Sequence, residues 1–91
     1  MSRILVVDDD PHIVRTLEIM LQGDGHEVLV ARSGEDALGL LERRAADIAL
    51  VDLQLPGMTG TELLRRMHDA HRDVQAVIIT AHGSIETAVE A

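Results

Sequence analysis

The sequence contains no aromatic residue, no cysteine and no lysine. Without Phe, Trp or Tyr, a core has to be built from Leu, Ile, Val, Ala and Met. Without cysteine, a disulfide framework and thiol chemistry are excluded, and the histidines show no zinc-site spacing. We therefore expect a cytoplasmic protein with an aliphatic core.

Long apolar segments are also missing. The apolar run at residues 4–7 is too short for the hydrophobic part of a signal peptide, and no longer run follows it. A membrane-spanning helix needs about 20 consecutive apolar residues. We therefore expect a soluble protein that does not contact a membrane.

Acidic residues outnumber basic ones two to one. Sixteen Asp and Glu stand against eight cations, all of them arginine, which gives a net charge of −8. Such a chain repels nucleic acid, so any DNA binding would belong to another domain. With 91 residues, of which 46% are apolar, we expect one small globular domain.

Four short apolar runs predict four strands, at residues 4–7, 28–31, 48–51 and 76–79. Each run is continuous rather than alternating, which is typical of parallel strands covered on both faces. The longer segments between the runs have helical patterns.

Helix-start signals follow each strand. Asp10 caps a first helix ahead of Pro11, and Ser33 and Thr59 begin the second and third, each with an acidic residue three positions later. A fourth helix is predicted from near Ser84 to the end of the sequence. The apolar stripe of the first helix consists of Ile13, Val14, Leu17, Met20 and Leu21.

Alternating strands and helices predict an α/β fold with a doubly wound parallel sheet. The flavodoxin-like strand order 2-1-3-4-(5) fits this spacing. Such sheets bind their ligands beyond the carboxyl ends of the strands, where the strand order reverses. The residues at those ends are therefore the candidates for function.

Polar residues follow the predicted strands at these ends. Asp8 and Asp9 follow the first strand, Asp52 follows the third and Thr80 the fourth. Since the first and third strands are neighbours in this order, we expect the three carboxylates to share a pocket that suits Mg²⁺. Asp52 would attack phosphorus to give an aspartyl phosphate, and the Thr80 hydroxyl would donate to a phosphoryl oxygen.

Three motifs resemble response-regulator receiver domains of the CheY-like type. They are ILVVDDD at residues 4–10, VDLQLPGMTG at 51–60 and VIITA at 77–81. The resemblance covers residues 1–91, which we expect to form one receiver domain. The turn at residues 80–83 is similar to NtrC-type regulators, which control transcription.

The resemblance implies a phosphorylation switch rather than an enzyme. Asp52 would accept the phosphoryl group from a histidine kinase or phosphotransfer protein. Asp9 would bind Mg²⁺ directly, Asp8 would bind it through water or assist, and the backbone carbonyl of Gln54 would complete the protein ligands. The switch would act on an output domain, for which DNA binding is one alternative, or on a partner.

Further roles are implied for the residues that follow the fourth strand. Thr80 would be the switch hydroxyl, and Ala81 would leave space beside the phosphoryl group. The side chains of Gln54 and His82 match positions that tune dephosphorylation.

One departure from the family pattern is large. The family has a lysine at the end of a fifth strand and an aromatic switch residue on it, whereas this sequence has neither. We expect the chain to stop before the fifth βα unit and to be impaired in phosphorylation. The strand at residues 76–79 would then be an exposed edge, open to dimers or swapped assemblies.

Three other functions compete. A hydrolase of the haloacid-dehalogenase type also uses an Asp nucleophile, but Gln54 stands where that family has its second Asp. A receiver-like interaction module that takes no phosphate would not need the three carboxylates. A flavin or nucleotide site is disfavoured because no glycine-rich loop follows the first strand.

Overall fold

The computed structural model describes residues 1–55 and 57–79, and the backbone of residues 85–87. Helices lie on both faces of one sheet, whose strand order is β2-β1-β3-β4-β5. The elements are β1 Arg3–Val7, α1 Pro11–Gly23, β2 Glu27–Ala31, α2 Gly34–Arg43, β3 Ile48–Asp52, α3 Gly60–Ala70, β4 Gln75–Ile79 and β5 Ile85–Thr87. The first four strands are parallel in the order 2-1-3-4, which confirms the predicted sheet.

The strand register aligns the carboxyl ends of the central strands. Val7 of β1 lies opposite Ala31 of β2 and Val51 of β3, and Asp52 lies opposite Ile79 of β4. The residues that follow β1 and the last residue of β3 therefore reach the same edge of the sheet.

The predicted helix caps are present. The side-chain oxygen of Asp10 accepts a hydrogen bond of 2.9 Å from the N–H two residues later, and Pro11 is the first residue of α1. Ser33 and Thr59 each accept a bond of 3.1 Å from the N–H three residues later. Caps of this kind each contribute about 1 kcal/mol, so the helix starts are set locally.

The main core lies between the sheet and the helices α2 and α3. Leu5 of β1 and Leu63 of α3 are fully buried in it. Val6 is also fully buried but alternates with Leu5, so it points to the opposite face of the sheet. That face is covered by α1, whose one buried residue is Val14.

The apolar stripe predicted for α1 is only partly buried. Val14 is buried, whereas the side chains of Ile13 and Met20 are 40% and 60% exposed. Two helices pack on the other face of the sheet, but among the described residues only α1 covers this one. No helix in the described part of the chain is long and apolar enough to cross a membrane.

The helix predicted from near Ser84 is wrong for residues Ile85–Thr87, which form β5. This strand pairs antiparallel with β4, with Ile85 opposite Ile79 and Thr87 opposite Val77. It is therefore not the parallel fifth strand of the predicted order. The pairing of β5 with β4 satisfies backbone groups of β4 that we expected to be exposed. Over these residues, the edge through which we expected dimers or swapped assemblies to form is therefore covered.

Candidate functional site

Three carboxylates meet at the carboxyl ends of β1 and β3. Asp8, Asp9 and Asp52 each offer an oxygen atom, and these oxygens lie within 4.8 Å of one another. Asp8 is buried, Asp52 is partly buried and Asp9 is exposed. The structure thus brings together the three residues that the predicted strand order placed in one pocket.

Asp8 is held firmly by the sheet and by the start of α1. Its backbone N–H donates to the carbonyl oxygen of Ala31 at 3.1 Å, which extends the pairing of β1 with β2 by one residue. Its Oδ1 accepts a hydrogen bond of 2.9 Å from the N–H of Asp10. Asp10 itself caps α1, the structural role that its position before Pro11 predicted.

The environment of Asp8 disfavours its charged form. Burial raises the pKa of the Asp8 carboxyl above its ordinary value, and only 3% of the residue is exposed. The hydrogen bond from Asp10 opposes this increase, while the charges of Asp52, Asp9 and Asp10 add to it. The charges that raise the pKa of Asp8 are all negative, and a bound cation would offset them.

Asp52 is the last residue of β3, and its carboxylate is oriented by the loop that follows. The N–H of Gln54 donates to Oδ1 of Asp52 at 3.2 Å. Gln54 is exposed, as is Leu53, so the carboxylate faces an open edge of the sheet.

Gly60 is a residue of this site to which the sequence analysis assigned no role. It begins α3, and its N–H donates to the carbonyl oxygen of Leu53 at 3.1 Å. A Cβ at this position would lie 2.6 Å from the carbonyl oxygen of Asp52 and 2.9 Å from Cα of Leu53. Only glycine lets α3 begin so close to the end of β3.

The residues predicted to switch and to tune the site, Thr80, Ala81 and His82, lie outside the described residues. Ile79, which precedes Thr80 in the sequence, is aligned with Asp52 across the sheet. The roles of Thr80, Ala81 and His82 stay predictions.

The donor set fits a hard divalent cation. Three carboxylates offer oxygen atoms close enough to share one ion, and one of them is buried where its charge is disfavoured. Oxygen ligands with room for water and phosphate are typical of Mg²⁺ sites. The same edge also carries Gln54, whose carbonyl was predicted as a further ligand.

Comparisons with known proteins agree with this geometry. Residues 4–91 match the family "Response regulator receiver domain". The chain is 36% identical over 90 residues to the transcriptional regulatory protein GlrR of Escherichia coli K12, a match that covers 99% of this chain and 20% of GlrR. The chain thus spans about a fifth of the length of this relative.

Solved structures give the same result. The crystal structure of the response regulator protein TrrA from Thermotoga maritima, in complex with Mg(2+)-BeF, is similar with a TM-score of 0.84 and 36% identity, over 89% of this chain and 70% of TrrA. The crystal structure of the histidine kinase ThkA in complex with TrrA matches with a TM-score of 0.84 and 34% identity, over 92% of this chain and 72% of the matched one.

Proposed function

Since the chain belongs to the response regulator receiver domain family, we propose that it accepts a phosphoryl group from a histidine kinase on Asp52. The observation that carries this proposal is the convergence of three carboxylate oxygens within 4.8 Å at the ends of β1 and β3. Asp52 is the one among them that ends a strand of the sheet and faces the open edge.

The transfer needs little more from the protein than alignment. An oxygen of the Asp52 carboxylate bonds to phosphorus while the P–N bond of phosphohistidine breaks, and the electron pair of that bond leaves with the imidazole. The N–H of Gln54 orients the acceptor, at 3.2 Å from Oδ1. Holding the acceptor in line with the donor is a large part of catalysis in such transfers.

Asp8, Asp9 and Asp52, with the backbone carbonyl of Gln54, would hold Mg²⁺. When bound, the ion supplies the positive charge that offsets repulsion among the carboxylates and the incoming phosphoryl group. The raised pKa of Asp8 supports this assignment, because a carboxyl that resists ionisation gains most from a nearby cation. TrrA, a receiver of similar structure, has been solved with Mg(2+)-BeF.

The phosphorylated Asp52 would act as a signal, and no metabolite would be released as a product. Thr80 would donate to the phosphoryl group beside Ala81, while Gln54 and His82 would set its lifetime. The protein would act in the cytoplasm, and its partner would be a histidine kinase or a phosphotransfer protein; the matched TrrA structure includes the kinase ThkA. Because the related GlrR is a much longer transcriptional regulator, a DNA-binding output region would be the target in an NtrC-type parent protein.

Intact-mass analysis with acetyl phosphate tests the acceptor. In the presence of Mg²⁺ we expect one phosphoryl adduct on the wild type. It should form slowly, because this sequence does not have the lysine that the family carries at the end of its fifth strand. Asp52→Asn should abolish the adduct. Asp69→Asn, at an exposed carboxylate on α3, is the matched control and should keep it. No adduct on the wild type, or an adduct that survives Asp52→Asn, would overturn the proposal.

A further inference from the structure

The loop between β3 and α3, residues 53–59, is exposed at its start and anchored in the core further on. Leu53 is 40% exposed, whereas Leu55 and Met58 are each only 9% exposed and belong to the main core. Gln54, whose N–H orients Asp52, lies between the exposed start and these anchors. The position of Gln54 therefore depends on how the two apolar side chains are seated.

Met58 is seated against Gly34, the first residue of α2. A Cβ on Gly34 would lie 2.8 Å from Sδ, 3.0 Å from Cβ and 3.2 Å from Cγ of Met58. The sulfur atom and Cγ can move by rotation about side-chain bonds, but Cβ is fixed to the backbone and can move only with it. Glycine is a poor helix former, so its presence in α2 is explained by this contact rather than by helix propensity.

A second pair of residues joins the same helix turn to the same loop. Gly57 has a left-handed backbone with a φ of 76°, and a Cβ there would lie 3.5 Å from the Glu35 carboxylate. Gly34 and Glu35 thus face Met58 and Gly57. The first turn of α2 is the support on which this loop rests.

The ends of the loop are fixed. Residue 53 is tied to α3 by the 3.1 Å hydrogen bond from the N–H of Gly60 to the carbonyl oxygen of Leu53. Gly60 also has backbone atoms of Asp52 and Leu53 directly against it. We therefore expect a displacement of Met58 to affect Gln54 more than the ends of the loop.

We propose that Gly34 and Met58 are positioning residues for the phosphoacceptor site. Their contact sets the path of the loop that presents Gln54 to Asp52 and to a bound Mg²⁺ ion. This inference rests on the proposed function, because the contact between Gly34 and Met58 has this task only if the site at Asp52 binds the ion.

Calorimetric titration with Mg²⁺ tests the inference, since the chain has no aromatic side chain to report binding by fluorescence. We expect Gly34→Ala to weaken Mg²⁺ roughly tenfold, the lower end of the effect for residues that orient metal ligands. Gly39→Ala is the matched control in the same helix, because a Cβ there meets nothing within 4 Å. It should leave the affinity unchanged.

Leu41→Ala separates positioning from stability. Leu41 lies in the core at the other end of α2, so its truncation lowers the free energy of unfolding and leaves the contact between Gly34 and Met58 in place. Mg²⁺ affinity is measured well below the unfolding temperature of each variant. A loss in Leu41→Ala as large as that in Gly34→Ala would overturn the inference.

A double-mutant cycle gives the decisive comparison. Met58→Ala alone should weaken Mg²⁺ binding because the loop loses an anchor. Adding Gly34→Ala to it should cost much less than Gly34→Ala costs in the wild type, since Sδ and Cγ of residue 58 are gone and only its Cβ, at 3.0 Å, remains. Equal losses from Gly34→Ala in both backgrounds, or unchanged affinity in Met58→Ala, would overturn the inference. If the wild type binds no Mg²⁺, the proposed function fails instead.

If Gly34→Ala does not fold on its own, the double-mutant cycle still tests the contact between Gly34 and Met58. Recovery of folding in the double variant, with the Mg²⁺ affinity of Met58→Ala, supports the contact. A double variant that stays unfolded while Met58→Ala folds would refute it, because the Cβ of residue 34 would then act through other neighbours.

Discussion

Replacement of Asp8 by Asn should make the protein more stable when no divalent cation is present. Asp8 is 3% exposed, and its carboxylate oxygen lies within 4.8 Å of those of Asp9 and Asp52. Asn removes the charge but keeps an oxygen that can accept the hydrogen bond from the N–H of Asp10. The substitution therefore removes repulsion without removing the local hydrogen bond.

The size of the effect follows from Coulomb's law. Two unit charges 4.8 Å apart repel each other by about 1 to 3 kcal/mol at effective dielectric constants between about 80, the value of water, and about 20, the value for pairs near a protein surface. We expect Asp8→Asn to raise the free energy of unfolding by about that amount at neutral pH. For a domain of this size, 1 kcal/mol shifts the unfolding temperature by about 4 to 8 °C.

The pH dependence has a definite sign. Burial raises the pKa of Asp8 in the folded chain, whereas in the unfolded chain it returns to about 3.8. As the pH rises above 3.8, the unfolded chain loses this proton first, so the wild type loses stability until Asp8 also ionises in the folded state. The difference in unfolding free energy between Asp8→Asn and the wild type should therefore grow as the pH rises from 3.8 to the raised pKa, and it should vanish below pH 3.8.

Thermal unfolding followed by far-UV circular dichroism measures the effect. In EDTA the unfolding temperature of Asp8→Asn should exceed that of the wild type, and added Mg²⁺ should stabilise the wild type more than the variant. Asp69→Asn is the control and should behave as the wild type does. A lower unfolding temperature for Asp8→Asn in EDTA, or equal stabilisation of both by Mg²⁺, would refute the reasoning.

Two further predictions concern α3 and its surroundings. Gly60→Ala should lower the free energy of unfolding by about 1 to 3 kcal/mol in urea titrations, because its Cβ meets backbone 2.6 Å away, whereas Gly39→Ala should raise it by up to about 1 kcal/mol. Equal effects would contradict this explanation. The hydrogen bond from Arg66 is the largest cause that lowers the pKa of Glu62. An NMR titration should therefore give Glu62 a pKa below 4.5, and Arg66→Ala should raise this pKa. Its contribution to stability is present above pH 4.5 and is lost as the pH falls through the lowered pKa.

The sheet and the carboxylate cluster were predictable because their signals are local. A continuous apolar run identifies a strand buried on both faces, and residues such as Asp8 and Asp52 come next to such runs. Parallel pairing then brings them to one edge, whatever the rest of the chain does. Cap residues such as Ser33 similarly act within a few positions of the sequence.

The tight contacts were not predictable because they join distant parts of the chain. Gly34, Gly39 and Gly60 all lie in helices, yet a Cβ meets side-chain atoms at the first, nothing at the second and backbone at the third. The sequence gives no sign of these differences. They arise from the approach of α2 and α3 to the loop after β3.

The partial exposure of the α1 stripe and the strand β5 could not be read from the sequence pattern, for related reasons. Periodicity shows which face of α1 is apolar, but the number of helices on a sheet face decides how much of it is covered, so Ile13 and Met20 remain exposed. At Ile85–Thr87, pairing with the edge of β4 outweighs a weak helical pattern.

The geometry of the site also determines how its internal repulsion is relieved. Asp8 and Asp52 are attached to adjacent strands in fixed register, so their backbones cannot separate when both carboxyl groups ionise. Relief has to come from a proton on Asp8, the buried member with the raised pKa, or from a cation among the three. We therefore expect protons and Mg²⁺ to compete for this site, and phosphoryl transfer to Asp52 to require that the cation displace the proton.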